Sequence, residues 1–175
     1  MSMSVPKRSR KRLLSWSVLG VGIAVVLVLI LGSGFSGCAT FSIERAEAEN
    51  RFRAKGLNPP EFVNAPLGEG SLHFASVGDG ETAIVFVHGS PGSWSAFMRY
   101  LMDEDLIRLG RVISVDRPGF GESLPKRAEP SLKEQSRQIF EALSENGVNG
   151  NAVLIGHSLG GPVIAKMAAD YPDFV

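Results

Sequence analysis

Apolar positions in this chain fall into three regimes. The first is one continuous run, Leu13 to Leu31 (LLSWSVLGVGIAVVLVLIL), 19 residues without a charge. That length lies near the lower bound for a helix spanning a bilayer. A basic stretch, an apolar stretch and then small residues is also the order of a secretory signal peptide. The second regime, residues 42–56 (SIERAEAENRFRAKG), is polar and rich in helix formers. Ser42 is placed to cap a short solvated helix and Gly56 to stop it. Asn58-Pro59-Pro60 then breaks regular structure. In the third regime, short apolar runs alternate with longer amphipathic ones.

SLHFASV (71–77) alternates and leads into Gly78-Asp79-Gly80, which predicts a strand and a hairpin turn. AIVFV (83–87) is continuously apolar and suits a strand buried on both faces. Trp94, Phe97, Tyr100, Leu101 and Ile107 recur at helical spacing over 94–108. RVISV (111–115) predicts another strand. Residues 131–146 open on a capping-box pattern, Ser131 and Glu134, and repeat Leu132, Ile139, Phe140 and Leu143. AVLI (152–155) predicts a further buried strand. A helix follows from Leu159, with Pro162 tolerated in its first turn and Pro172 marking its end. Alternating strands and helices define an α/β fold: a mostly parallel sheet with helices on both faces. No internal repeat is present.

Charge changes the picture at the N-terminus. The chain has 175 residues, enough for one domain, and a formal net charge of zero. Lys7, Arg8, Arg10, Lys11 and Arg12 give +5 before residue 13, and no acid stands among residues 1–37. Residues 38–175 therefore hold 13 basic and 18 acidic side chains, a net of −5. A body of that sign has no electrostatic case for binding nucleic acid. The basic cluster abuts the apolar run and reads as a membrane-insertion flank.

Candidate ligands are few. The single cysteine, Cys38, forms no intramolecular disulfide, and His73, His88 and His157 lack metal-ligand spacing. No metal and no other cofactor is expected. Gly32, Gly34 and Gly37 match GxGxxG, but the preceding run is too long for the strand that a dinucleotide motif needs. Phe35-Ser36-Gly37-Cys38 resembles the lipobox of bacterial lipoproteins, with Phe35 where that family usually has Leu. The resemblance implies cleavage before Cys38 and lipid attachment to it; Ala39 is not the Asp that tends to mean inner-membrane retention. The other reading keeps an uncleaved transmembrane anchor. Both place the rest of the chain outside the cytoplasm, at the cell envelope. The organisation expected is a signal peptide or membrane anchor at 1–37, a linker or short helix at 38–60, and the α/β domain at 61–175.

Three glycine-rich turns carry the candidate chemistry, each after a predicted strand. Gly156-His157-Ser158-Leu159-Gly160 is a G-x-S-x-G pattern between a strand and a helix. The serine there must sit in a strained turn that projects its hydroxyl, and Gly156 and Gly160 supply room. The helix that follows favours developing negative charge at its N-terminus. His88-Gly89-Ser90-Pro91-Gly92 follows AIVFV; its glycines allow close backbone approach and Pro91 stiffens the loop. A tetrahedral intermediate needs two N–H donors; Leu159 supplies one candidate and Ser90 the other. DRPGFGES (116–123) follows RVISV and could shape the floor of a site on the carboxyl side of the sheet, although a structural loop is the plainer reading.

Together HGSPG, DRPGFGES and GHSLGG resemble the α/β-hydrolase family, in that family's order, with His88 and Ser158 70 residues apart (158 − 88). The resemblance covers roughly 61–175, the first half of the family's fold, and ends just after the nucleophile elbow and its helix. It implies Ser158 as nucleophile, the N–H groups of Ser90 and Leu159 as oxyanion hole, and a small ester-like substrate cleaved through an acyl-serine. Haloalkane dehalogenases and epoxide hydrolases resemble the pattern but use Asp at the elbow. HGSPG is also similar to the HGGPG of proline iminopeptidases, so amide or peptide bonds stay open, as does carbon–carbon cleavage.

The family's order is Ser, then Asp or Glu, then His. After Ser158 the only acids are Asp170 and Asp173, and there is no histidine. His157 is expected to pack below the elbow, His88 to hold its own loop, and His73 to lie far from the site. The chain is therefore expected to be a truncated, nearly inactive hydrolase whose AVLI strand is left as an apolar edge. The rival expectation is a membrane-tethered binding protein that retains half of a hydrolase fold.

Overall fold

A computed structural model describes residues 42–175. The apolar run 13–31, the glycines at 32–37 and the candidate lipidation site Cys38 lie outside the described residues. Among the described residues no helix is long and apolar enough to cross a membrane.

The first element is helix α1 (Arg45–Ala54). It begins two residues later than the sequence suggests: Glu44 holds the N-cap position, and Ser42 instead donates to the Ile43 carbonyl at 3.4 Å. Nor is it a solvated spacer. Ala48 and Phe52, four residues apart and so on one face, are fully buried.

Next comes a hairpin that the apolar pattern did not reveal. Strand β1 (Glu61–Leu67) pairs antiparallel with β2 (Gly70–Val77), with Leu67 opposite Gly70. β1 carries Pro66 and only one buried residue, Ala65, so it shows no clean alternation; proline is tolerated because the strand is at the sheet edge. The hairpin therefore precedes β2 instead of following it at Gly78-Asp79-Gly80. β2 leaves that turn to pair antiparallel with β4 (Arg111–Val115), while β3 (Ala83–Val87) lies between β4 and β5 (Ala152–Gly156), parallel to both. The order is β1-β2-β4-β3-β5. The sheet is thus mixed, with its three central-to-distal strands parallel and two antiparallel strands on one flank.

Alternation along the strands separates two cores. Leu72, Phe74, Val85, Val87, Ile113 and Val115 pack with Ile139, Ala142 and Leu143 of helix α4 (Leu132–Glu145) and Val163 and Met167 of α5 (Gly160–Asp170). On the opposite face, Ala75, Ile84, Phe86 and Val112 pack with α1 and with Trp94, Phe97, Met98 and Leu101. Those last residues do not form one helix over 94–108. A 3₁₀ turn (Trp94–Phe97) leads into a single turn α2 (Met98–Leu101), and α3 (Glu104–Leu109) starts afresh. The restart is set by Asp103, whose carboxylate accepts from the N–H groups of Asp105 and Leu106 at 3.0 and 3.2 Å. The cap on α4 is as expected: Ser131 Oγ accepts from Glu134 N at 3.2 Å. β5 is less buried than AVLI suggests. Ala152 is buried, but Val153 and Ile155 are 50% and 37% exposed on the α1 side of the sheet.

Candidate active site

The carboxyl ends of β3, β4 and β5 bring the three glycine-rich turns together. In the last, Ser158 adopts φ +51°, the left-handed region, and its side chain is exposed. The sterics that demand glycine are explicit. A Cβ on Gly160 would lie 2.0 Å from the Val87 carbonyl oxygen, and one on Gly156 2.6 Å from the Gly160 carbonyl. The His157 N–H continues the parallel ladder to Val87 O at 3.0 Å, and Gly161 N then donates to Ser158 O at 2.9 Å to open α5. Ser158 therefore sits between the last ladder bond and the first helical turn, at the positive end of an 11-residue helix.

The loop from β3 lies against this elbow. A Cβ on Gly89 would meet Ser158 Cβ at 2.8 Å, so only glycine lets the two backbones approach. Ser90 is exposed and the Ser90–Pro91 peptide is cis. Among the described residues, neither the Ser90 nor the Leu159 N–H is spent on a backbone carbonyl.

His88, which opens the loop, is 1% exposed. Its Nε2 accepts from the Arg117 N–H at 3.1 Å, which puts the ring proton on Nδ1, 2.6 Å from the Gly89 carbonyl. Burial pushes its pKa down from 6.5 to about 4; the Gly89 bond works upward, and the nearby Arg117 charge pushes further down.

DRPGFGES is the framework behind the site. Asp116, fully buried, accepts from three donors: Trp94 N at 2.7 Å, Glu122 N at 2.8 Å and His73 Nδ1 at 2.7 Å. Gly121 closes over it with φ +53°, and a Cβ there would fall 2.0 Å from the carboxylate. Ser123 Oγ accepts from His73 N at 2.9 Å and donates to Asp116 O at 2.8 Å. Glu122 reaches back to α1: Arg45 grips its carboxylate at 3.0 and 2.5 Å. Burial works upward on the Glu122 pKa, but the Arg45 bond, with His73 and Lys126 nearby, outweighs it and holds the group below the ordinary carboxylate value.

The histidines depart from expectation in two of three cases. His88 does hold its loop. His73 is fully buried on β2 but is not remote: it is wired to Asp116 at the end of β4. His157 is exposed and does not pack below the elbow; its neighbours on the chain, Ser158 and Leu159, are exposed with it. Its Nδ1 lies 3.2 Å from where a Cβ on Gly89 would be. Both ring nitrogens of His88 are committed, to Gly89 O and the Arg117 N–H, whereas His73 gives Nδ1 to Asp116 and keeps a buried Nε2 without a hydrogen bond, 3.8 Å from Glu122 Oε1; neither ring hydrogen-bonds the Ser158 hydroxyl. Asp170 pairs with Lys166, ten residues into α5 from Gly160 and so roughly 15 Å along its axis. Asp173 sits in the 3₁₀ turn beyond it. Three contributors escaped the sequence reading: Arg117, His73 and Glu122. The only sequence signal for His73 was a polar residue in an inward-facing register of an alternating strand.

The chain belongs to the alpha/beta hydrolase family, whose model matches residues 84–175. Among curated relatives, a 2-hydroxy-6-oxononadienedioate/2-hydroxy-6-oxononatrienedioate hydrolase of Pseudomonas sp is 34% identical over 124 residues, 66% of this chain and 42% of the relative. Bifunctional epoxide hydrolase 2 of Sus scrofa is 38% identical over 107 residues, 59% of this chain and 19% of the relative. Among solved structures, a putative epoxide hydrolase from Pseudomonas aeruginosa matches with a TM-score of 0.58 at 25% identity, over 66% of this chain and 39% of the other. The chain thus spans less than half the length of these proteins.

Proposed function

We propose that the whole protein is a serine hydrolase that attacks a carbonyl carbon through Ser158, with carboxylic esters as its substrate class. The observation that carries this reading is the elbow: an exposed serine at φ +51°, at a helix N-terminus, with the N–H groups of Ser90 and Leu159 unspent beside it. Attack by Ser158 Oγ would place negative charge on the carbonyl oxygen, where those two donors and the α5 dipole stabilise it. Collapse expels the alcohol and leaves acyl-Ser158; water then releases the acid. No cofactor enters these steps.

The attacking hydroxyl must lose a proton, and among the described residues no side chain hydrogen-bonds it. A carboxylate and a histidine supplied in the whole protein complete the machinery, and the 175 residues alone are nearly inactive. Serine at the elbow argues against epoxide opening, for which this family uses aspartate. The Pseudomonas relative favours a second reading, hydrolysis of a small oxo-acid at a carbon–carbon bond. A substrate panel on the full-length gene product decides between them: p-nitrophenyl acetate, an aminoacyl anilide and an oxo-dienoate. Ester turnover that drops by at least about 10³-fold in Ser158→Ala supports the reading. Turnover unchanged by that substitution overturns it.

The N-terminal segment is proposed to tether the protein at the cell envelope, on the strength of the basic flank and the uncharged run Leu13–Leu31. Mass spectrometry of the N-terminus from a bacterial host tests it. A mature chain starting at lipidated Cys38 is the lipoprotein outcome; an intact 1–37 segment in the membrane fraction is the uncleaved anchor; a soluble intact chain overturns both.

A further inference from the structure

The Gly89 carbonyl receives two side-chain donors. His88 Nδ1–H approaches at 2.6 Å and Arg117 Nη2 at 2.8 Å. The first is set by the backbone N–H of residue 117, which donates to His88 Nε2 and so fixes the tautomer that makes His88 a donor; the second depends on the Arg117 side chain itself. The arginine is itself held. Its Nη1 donates to Gln135 Oε1 at 2.8 Å, Gln135 Nε2 donates to Glu129 O at 2.6 Å, and the guanidinium lies 4.5 Å over the Phe120 ring. It is fully buried. Burying a guanidinium costs several kcal/mol of solvation that an apolar side chain of like size would not. What the guanidinium supplies is its donors.

The carbonyl of Gly89 and the N–H of Ser90 belong to one planar peptide unit. That unit is trans, unlike the Ser90–Pro91 bond that follows, so the two groups point in opposite directions. Pulling the carbonyl toward Arg117 and His88 turns the N–H the other way. Hydrogen bonds to the oxygen, one of them charge-assisted, also polarise the unit and strengthen its N–H as a donor.

We propose that Arg117 is a positioning residue for the oxyanion hole, acting through the Gly89 carbonyl to aim and strengthen the Ser90 N–H. The inference rests on the reading of Ser158 as nucleophile and Ser90 as donor. It assigns a mechanistic role to a buried cation in DRPGFGES that never touches substrate.

The test is the kinetics of Ser158 phosphonylation by an alkyl fluorophosphonate in the full-length protein, separating reversible binding (KI) from the bond-forming rate (kinact). Arg117→Met should lower kinact tenfold or more and leave KI within about twofold, since the Ser90 N–H is loosened but not removed. The ¹⁵N–¹H resonance of Ser90 should shift, which packing at a distance would not produce alone. Arg117→Lys keeps the charge but not the fork that reaches Gly89 and Gln135 together, so it should fall between the two. Should Arg117→Met fail to fold, Arg117→Lys carries the test with a drop of about threefold in kinact. A folded variant that reacts at the wild-type kinact overturns the role of Arg117 while leaving Ser158 as nucleophile. Wild-type protein that is not phosphonylated at Ser158 overturns the reading beneath it.

Discussion

Asp116 and the residue that closes over it show how narrowly single positions are fixed. Gly121 sits at φ +53° with its Cα turned onto the carboxylate. Gly121→Ala combines a left-handed strain with a collision at 2.0 Å, and should destabilise the whole protein by about 2–4 kcal/mol in urea unfolding. An unchanged midpoint would contradict the packing described. His88 makes a second prediction. Its folded pKa of about 4 lies below the unfolded 6.5, so the unfolded chain binds the extra proton between those values. The stability tied to neutral His88 is fully present above pH 6.5 and is lost as pH falls toward 4, a loss on the order of 3 kcal/mol. Denaturant titrations at pH 7 and pH 4.5 should show that loss, and His88→Asn should shrink it. At this scale the strained turn at Ser158 was legible, because G-x-S-x-G states a steric requirement directly. The partners of Asp116 were not: His73 is 43 residues away, and only the pairing of β2 with β4 brings it there.

Elements are set by local signals and corrected by tertiary ones. The cap of α4 was readable because Ser131 and Glu134 satisfy it within one turn. The break at Asp103 lay inside a convincing helical period, and the carboxylate that restarts the helix was overlooked. Asp103→Ala should cost α3 about 1 kcal/mol and raise hydrogen exchange over 104–109; unchanged exchange would show the cap to be idle. β1 was missed because an edge strand with one buried residue carries little periodic signal. α1 was misjudged as solvated because its apolar stripe is only Ala48 and Phe52. Its tie to the site framework through Arg45 and Glu122 is a third-exposed ion pair. Arg45→Ala should therefore cost no more than about 1 kcal/mol, and less at high salt.

Across the molecule, the sequence order of strands and helices was enough to give the α/β class and the two covered faces. It did not give the antiparallel flank, because β-pairing partners are chosen by the sheet as a whole. One face is covered incompletely. Val153 and Ile155 stand exposed on β5, with half-exposed Tyr100 on the same side of the sheet. Such an apolar edge drives association. Residues 38–175 expressed alone should sediment as aggregates, and the double substitution Val153→Lys and Ile155→Lys should reduce this.

The central claim is that the elbow makes Ser158 the nucleophile of the whole protein. It is tested most directly by treating the folded full-length protein with a fluorophosphonate and mapping the adduct by peptide mass spectrometry. The account predicts one adduct, on the Ser158 hydroxyl, abolished by Ser158→Ala. An unmodified Ser158 in folded protein, or an adduct that persists in Ser158→Ala, would contradict it.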